Sequence, residues 1–114
     1  MDDPREILAR AAEPGVAVSY GPDAEHVVEY FAPVGAARGT VAMLHGGFWQ
    51  HDYDRVHVRP LCRALAAQGY ATASLEYRRV GGGGGWPHTF DDVRAALRAL
   101  PRLLRDLDAP AGPL

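Results

Sequence analysis

The 114 residues contain no lysine, one cysteine and only two serines, Ser19 and Ser74. With Cys62 as the single thiol no internal disulfide can form, so nothing in the chain requires an oxidising compartment. The choice of arginine at all twelve basic positions, beside abundant alanine, reads first as a bias of coding composition. No apolar run approaches the ~20 residues that cross a bilayer. The opening Met1-Asp2-Asp3-Pro4 is acidic, where a secretory leader would be basic and then apolar. Charge of one sign is also lacking. A net charge of −2 and a pI near 6.2 offer no handle for nucleic acid or an anionic membrane. These absences leave a soluble, cytoplasmic protein with neither nucleic acid nor membrane as partner.

What is present suits one small α/β domain. With 47% hydrophobic and 23% charged residues the chain is ordinary globular material, long enough to bury a core. The first 15 residues read as a short helix. Asp3 is placed to cap it, Pro4 fits its first position, and Ile7, Leu8 and Ala11 recur at helical spacing up to Pro14-Gly15. Residues 16 to 39 read as an antiparallel hairpin and loop, with Val16 to Tyr20 and Glu25 to Phe31 joined through Gly21-Pro22-Asp23. Residues 40 to 108 read as strand, helix, strand, helix. Thr40 to Leu44 is an unbroken apolar run, as in a strand buried on both faces. Val58, Leu61, Cys62, Leu65 and Ala66 form one helical stripe, with Pro60 in the first turn and Gly69 ending it. Tyr70 to Tyr77 is the second strand. Thr89 is an N-cap candidate for a last helix with Val93, Ala96, Leu97 and Leu100 on its buried side, kinked or ended at Pro101. Strand-helix-strand order demands a parallel crossover, so the fold expected is a mainly parallel sheet with an N-terminal antiparallel hairpin, flanked by helices.

The segment His45-Gly46-Gly47-Phe48-Trp49 follows the first buried strand directly. Ligands of open α/β sheets gather at the C-terminal ends of parallel strands. Paired glycines there let the backbone turn sharply and aim successive N–H groups at one point, the geometry that stabilises an oxyanion.

This turn resembles the oxyanion loop of α/β-hydrolase lipases and esterases. The variant with an aromatic and then tryptophan is most similar to the kynurenine formamidase and related carboxylesterase branch. Glu76-Tyr77-Arg78, then Trp86-Pro87 and Thr89-Phe90-Asp91-Asp92-Val93, resemble later segments of that branch, so the likeness runs from about Thr40 to Leu100. The resemblance implies the N-terminal half of an α/β-hydrolase domain acting on a small ester or amide, with no metal or organic cofactor. It implies that the N–H groups of Gly47 and Phe48 form the oxyanion hole, that His45 and Gly46 shape the turn, and that Trp49 lines the acyl pocket. His45 is not the triad histidine, which comes late in such chains.

The nucleophile motif Gly-x-Ser-x-Gly does not occur, nor does the acid or triad histidine that follows it. Ser19 falls in the hairpin, Ser74 inside a strand, and Cys62 on a helix stripe, so each has a structural reading. In the family's strand order the strand ending at His45 is central and pairs with the absent fifth strand. The chain alone is therefore expected to be inactive, with an open apolar edge ready to pair with another chain. A non-catalytic half-domain or decayed binding module is the alternative. His45, His51, Asp52, Asp54 and His57 cluster in sequence but lack zinc-motif spacing, and a polar loop over the active site is preferred. His26 and His88 read as surface residues. Gly81 to Gly85 lacks the Lys-Ser/Thr of a phosphate loop and reads as a flexible loop at the site's rim.

Overall fold

The computed structural model describes residues 13–45 and 54–109. The helix expected over the first 15 residues lies outside them except at its end. Val16–Ser19 (β1) and Val27–Phe31 (β2) form the antiparallel hairpin, with Val18 opposite Val28. Asp23 closes its turn, its carboxylate accepting the Glu25 N–H and its carbonyl the His26 N–H.

Gly39–Leu44 (β3) runs parallel to Tyr70–Leu75 (β4). Between them lie a 3-10 turn, Arg55–Val58, and the helix Arg59–Ala67 (α1). Pro60 occupies the first turn of α1, where a missing N–H costs nothing. Gly69 stops the chain from continuing. Its φ is +93°, and a Cβ there would meet the Ala36 carbonyl oxygen at 2.9 Å.

Among the described residues the four strands lie in the order β1-β2-β4-β3. The sheet is mixed, which corrects the expectation of a mainly parallel one. Only β3 and β4 are linked through a crossing helix and so run parallel. The hairpin delivers β2 antiparallel to β4, with Glu29 opposite Ser74. β3 is the edge strand and is half-buried, with Leu44 at 50% exposure, and not covered on both faces.

His88–Asp106 (α2) packs on one face, where Ala96, Leu100 and Leu103 meet Val28, Ala73 and Leu75. Phe31, Cys62 and Ala66 make a smaller cluster with α1 on the other. Two expected core positions turn outward: Leu61 is 50% and Leu97 43% exposed. α2 continues past Pro101, which was expected to kink or end it and does not end it. The carbonyl that the proline frees belongs to Leu97, on the exposed side where water can serve it. Thr89 is not the cap of α2 either. The helix starts one residue earlier, and the Thr89 hydroxyl donates to the Arg78 carbonyl at 2.6 Å while accepting the Gly85 N–H at 2.8 Å.

The pentaglycine has a defined path. Gly82 and Gly84 donate to the Arg79 carbonyl, and a Cβ at Gly84 would fall 2.2 Å from the backbone of Arg78. Glycine is needed there because the loop lies flat against the chain leaving β4. No helix among the described residues is long and apolar enough to cross a membrane.

Candidate functional site at the ends of β3 and β4

The two parallel strands finish side by side, Leu44 opposite Leu75, and each is followed at once by a buried polar residue. These are His45 and Glu76, both with side chains fully out of solvent. His45 Nε2 lies 2.6 Å from Glu76 Oε1. A carboxylate only accepts, so Nε2 carries the proton and donates it. The imidazole also stacks on the Tyr77 ring, with centroids 4.5 Å apart and planes 3° from parallel. Tyr77 completes the bracket by donating its hydroxyl to the His45 carbonyl at 2.7 Å.

Glu76 is the hub. Its Oε1 accepts from His45, from the Arg79 guanidinium and from the Tyr77 N–H. Its Oε2 accepts the Arg55 N–H at 2.8 Å and the Arg55 guanidinium at 3.3 Å. Burial alone pushes this carboxyl up. The bonds from His45 and the Arg55 amide, with the charge of Arg79, outweigh it and hold the group below its ordinary value. Tyr20 reaches across from the hairpin to donate to the Glu76 carbonyl at 2.6 Å.

Two further carboxylates are buried with arginine. Glu29 takes a two-point bond from Arg59, both contacts at 2.8 Å, and stands 3.9 Å from Arg55. Asp92, on the first turns of α2, receives the Arg78 side chain and backbone N–H and the His26 Nε2 at 2.9 Å. Desolvation raises the Asp92 carboxyl, but these donors hold it below its usual range. His26 is thus a buried tie between hairpin and helix and not a surface residue. Its Nδ1 accepts the Asp23 N–H, which leaves Nε2 to donate. The planar fork of Arg59 also gives the all-arginine composition a structural use, because an ammonium cannot bind both oxygens of a carboxylate this way.

Beside the hub, a cavity of about 120 Å³ opens between the end of β3 and the start of α2. Leu44, His45, Tyr77, Thr89, Phe90 and Val93 line it. It is well below the size of a drug-like pocket and fits a group of a few heavy atoms.

Of the residues singled out in the sequence, Gly46, Gly47, Phe48 and Trp49 lie outside the described residues, as do His51 and Asp52. His57 is exposed and meets the His45 ring edge-on at 5.7 Å, and the Asp54 carboxylate caps the 3-10 turn at Val56 N–H. Among the described residues no group of three or more His, Cys, Asp or Glu side chains is arranged to hold a metal. Ser74 is buried within β4, the Ser19 hydroxyl donates to the Gly21 carbonyl, and burial pushes the Cys62 thiol up. None of the three sits on a strand-to-helix elbow. Glu76, Asp92 and His26 escaped the sequence reading as partners. The one local signal was a charge, Glu76, closing an otherwise apolar strand.

The BD-FAE family model, an α/β-hydrolase-type esterase domain, matches residues 30–103. No curated protein sequence matches the chain. Among solved structures, esterase B of Lactobacillus rhamnosis is 28% identical over 79% of this chain, with a TM-score of 0.68. Esterase 2 of Thermogutta terrifontis aligns over 86% of the chain at 17% identity and TM-score 0.71. A truncated carbohydrate esterase from gut microbiota aligns over 86% at 20% identity and TM-score 0.69. The chain spans only 30%, 39% and 36% of these three proteins.

Proposed function

The chain belongs to the BD-FAE family of α/β-hydrolase-type esterase domains, and on that premise we propose that it supplies the oxyanion half of a serine carboxylesterase or amidase. The observation that best supports this is the buried seat of His45. The residue before Gly46-Gly47 is held from below by Glu76, from the side by Tyr77, and at its own carbonyl by the Tyr77 hydroxyl. A turn leaving such a seat starts from a preorganised point, which is what oxyanion stabilisation requires.

In this reading Gly47 and Phe48 donate their N–H groups to the oxyanion of a small ester or amide. His45 and Gly46 shape the turn, and Trp49 lines the acyl side, with the nearby 120 Å³ cavity sized for a short acyl group. An aryl formamide is the amide substrate favoured by Gly47-Phe48-Trp49. The serine alkoxide that attacks the carbonyl, the histidine base and its orienting acid come from outside these 114 residues, whose domain is incomplete on this reading. The same reading needs no cofactor and places the protein in the cytoplasm, with Cys62 a free buried thiol.

The test is turnover of p-nitrophenyl acetate and N-formylaniline by the chain alone and by the chain fused to the complementary C-terminal part of the Lactobacillus esterase. The fusion is expected to turn over and the chain alone is not. Phe48→Pro, which removes one donor, is expected to lower kcat of the fusion by about 10²–10³. Turnover by the chain alone would overturn the absence of a nucleophile, and an unchanged kcat in the variant would overturn the oxyanion role.

A second reading is a non-catalytic half-domain that pairs with another chain. It is favoured by β3, which bonds to β4 on one side and presents Leu44 beside the half-exposed Phe90. Turnover by the fusion separates the two, since a catalytic half gains activity once the nucleophile is supplied and a non-catalytic pairing module does not.

A further inference from the structure

The two oxygens of Glu76 face different parts of the chain. Oε1 takes His45, the last described residue before 46–53, and Oε2 takes both the backbone and the side chain of Arg55, just after it. One carboxylate therefore ties together the two flanks of the stretch that carries Gly46-Gly47-Phe48-Trp49. The tie is not a surface contact. The Glu76 side chain is completely buried, and Arg55 retains 19% exposure. A third contact, from Arg79, compensates the charge.

We propose that Glu76 is a positioning residue, a clamp that fixes both ends of the 46–54 segment and so sets where the turn donors stand. Its functional meaning rests on the oxyanion reading above. The chemistry requires a carboxylate of this length. Glutamine has one acceptor oxygen and one N–H₂ group. Its N–H₂ faces either the two Arg55 donors or, on the His45 side, the Tyr77 N–H and the Arg79 guanidinium, so one side of the clamp meets donor against donor. Aspartate is one methylene shorter and cannot reach both. Fixing the ends of a loop removes the entropy its open chain would hold, so losing either end frees the segment between them.

The test is amide hydrogen exchange on the full chain, read residue by residue. In Glu76→Gln the amides of 46–54 are expected to exchange about tenfold faster or more, the scale of one lost bond to a charged group. Amides within Ala96 to Leu100 of α2 keep their protection. Tyr20→Phe is the control. It removes the bond to the Glu76 backbone carbonyl and weakens the fold without touching the carboxylate, so it leaves the ratio of exchange between 46–54 and α2 as it was. Should Glu76→Gln not fold, Glu76→Asp keeps the charge beside Arg79, cannot reach both flanks, and gives the same localised increase. Uniform acceleration across the chain, or no change at 46–54, overturns the clamp. The exchange pattern reports the clamp whether or not the turn binds an oxyanion, and the Phe48→Pro assay alone decides the latter.

Discussion

Beneath α2 the sheet offers Val28, Ala73 and Leu75 to Ala96, Leu100 and Leu103, whereas beneath α1 it offers Phe31 and, at the helix start, Glu29 bonded to Arg59. The two faces come from the same strands by simple alternation. In β4, Ala71, Ala73 and Leu75 alternate with Thr72 and Ser74, all buried, and Glu76 continues the polar phase. On the α2 face cohesion comes from apolar area, which is non-directional and tolerant of small shifts. On the α1 side it comes from directional bonds among Glu29, Arg59, Arg55, Glu76 and His45. The difference separates holding the sheet together from holding one turn in place. A directional network fixes atoms to tenths of an ångström, and it stands where the candidate oxyanion turn begins. Asp92 is the exception, a buried charge near the start of the otherwise apolar contact of α2.

The largest effect is expected on the polar side. Glu29→Ala leaves the Arg59 guanidinium without its partner in a nearly closed site, and is expected to cost about 3–5 kcal/mol in urea unfolding. A cost below 1 kcal/mol would mean that Arg59 finds water or another acceptor, and the contrast between the faces would weaken.

Leu100→Ala probes the apolar side and is expected to cost about 3 kcal/mol from lost transfer and cavity terms. Its cost should be the same at pH 7 and pH 5, because nothing in that cluster titrates. A pH-dependent cost would break the comparison.

Acid distinguishes the buried charges from the apolar contacts. The Glu76 and Asp92 carboxyls are held below their ordinary values of about 4, so their stabilisation is complete above that range and disappears as pH falls through the lowered folded values. The contribution of these two carboxyls is therefore expected to be constant from pH 7 to about 5 and to fall below about 4. Asp92→Asn should cost about 1–2 kcal/mol at pH 7 and flatten part of that slope. An unchanged acid limb in the variant would remove Asp92 from the account.

The smallest effect belongs to the hairpin surface. Ser19 is exposed and bonds only within its own turn, so Ser19→Ala is expected within about 0.5 kcal/mol of the parent and without effect on any ester turnover.

Much of the fold was legible in the residues themselves. The hairpin, both parallel strands, α1 and its stop at Gly69 follow from periodicity and from glycine and proline placement, which act within a few neighbours. The errors share one cause. Leu61 and Leu97 look like core by spacing, yet they stand about half exposed, because a helical stripe is wider than the surface it meets. Thr89 has the chemistry of a cap, but the close-packed glycine loop needs its hydroxyl more. His26 looks like a surface residue until its partner arrives from 66 residues away.

By itself the sequence determined the order of elements and the turn motif, and it pointed to the family to which the chain belongs, since these depend on local pattern and on residues adjacent in the chain. Only the tertiary structure decided that the sheet is mixed and that one buried carboxylate joins His45 to Arg55. The physical reason is that burial can be written in a period of two or 3.6 residues. The choice of partner for a buried charge is set by which strand lies next to which, and no local period encodes that.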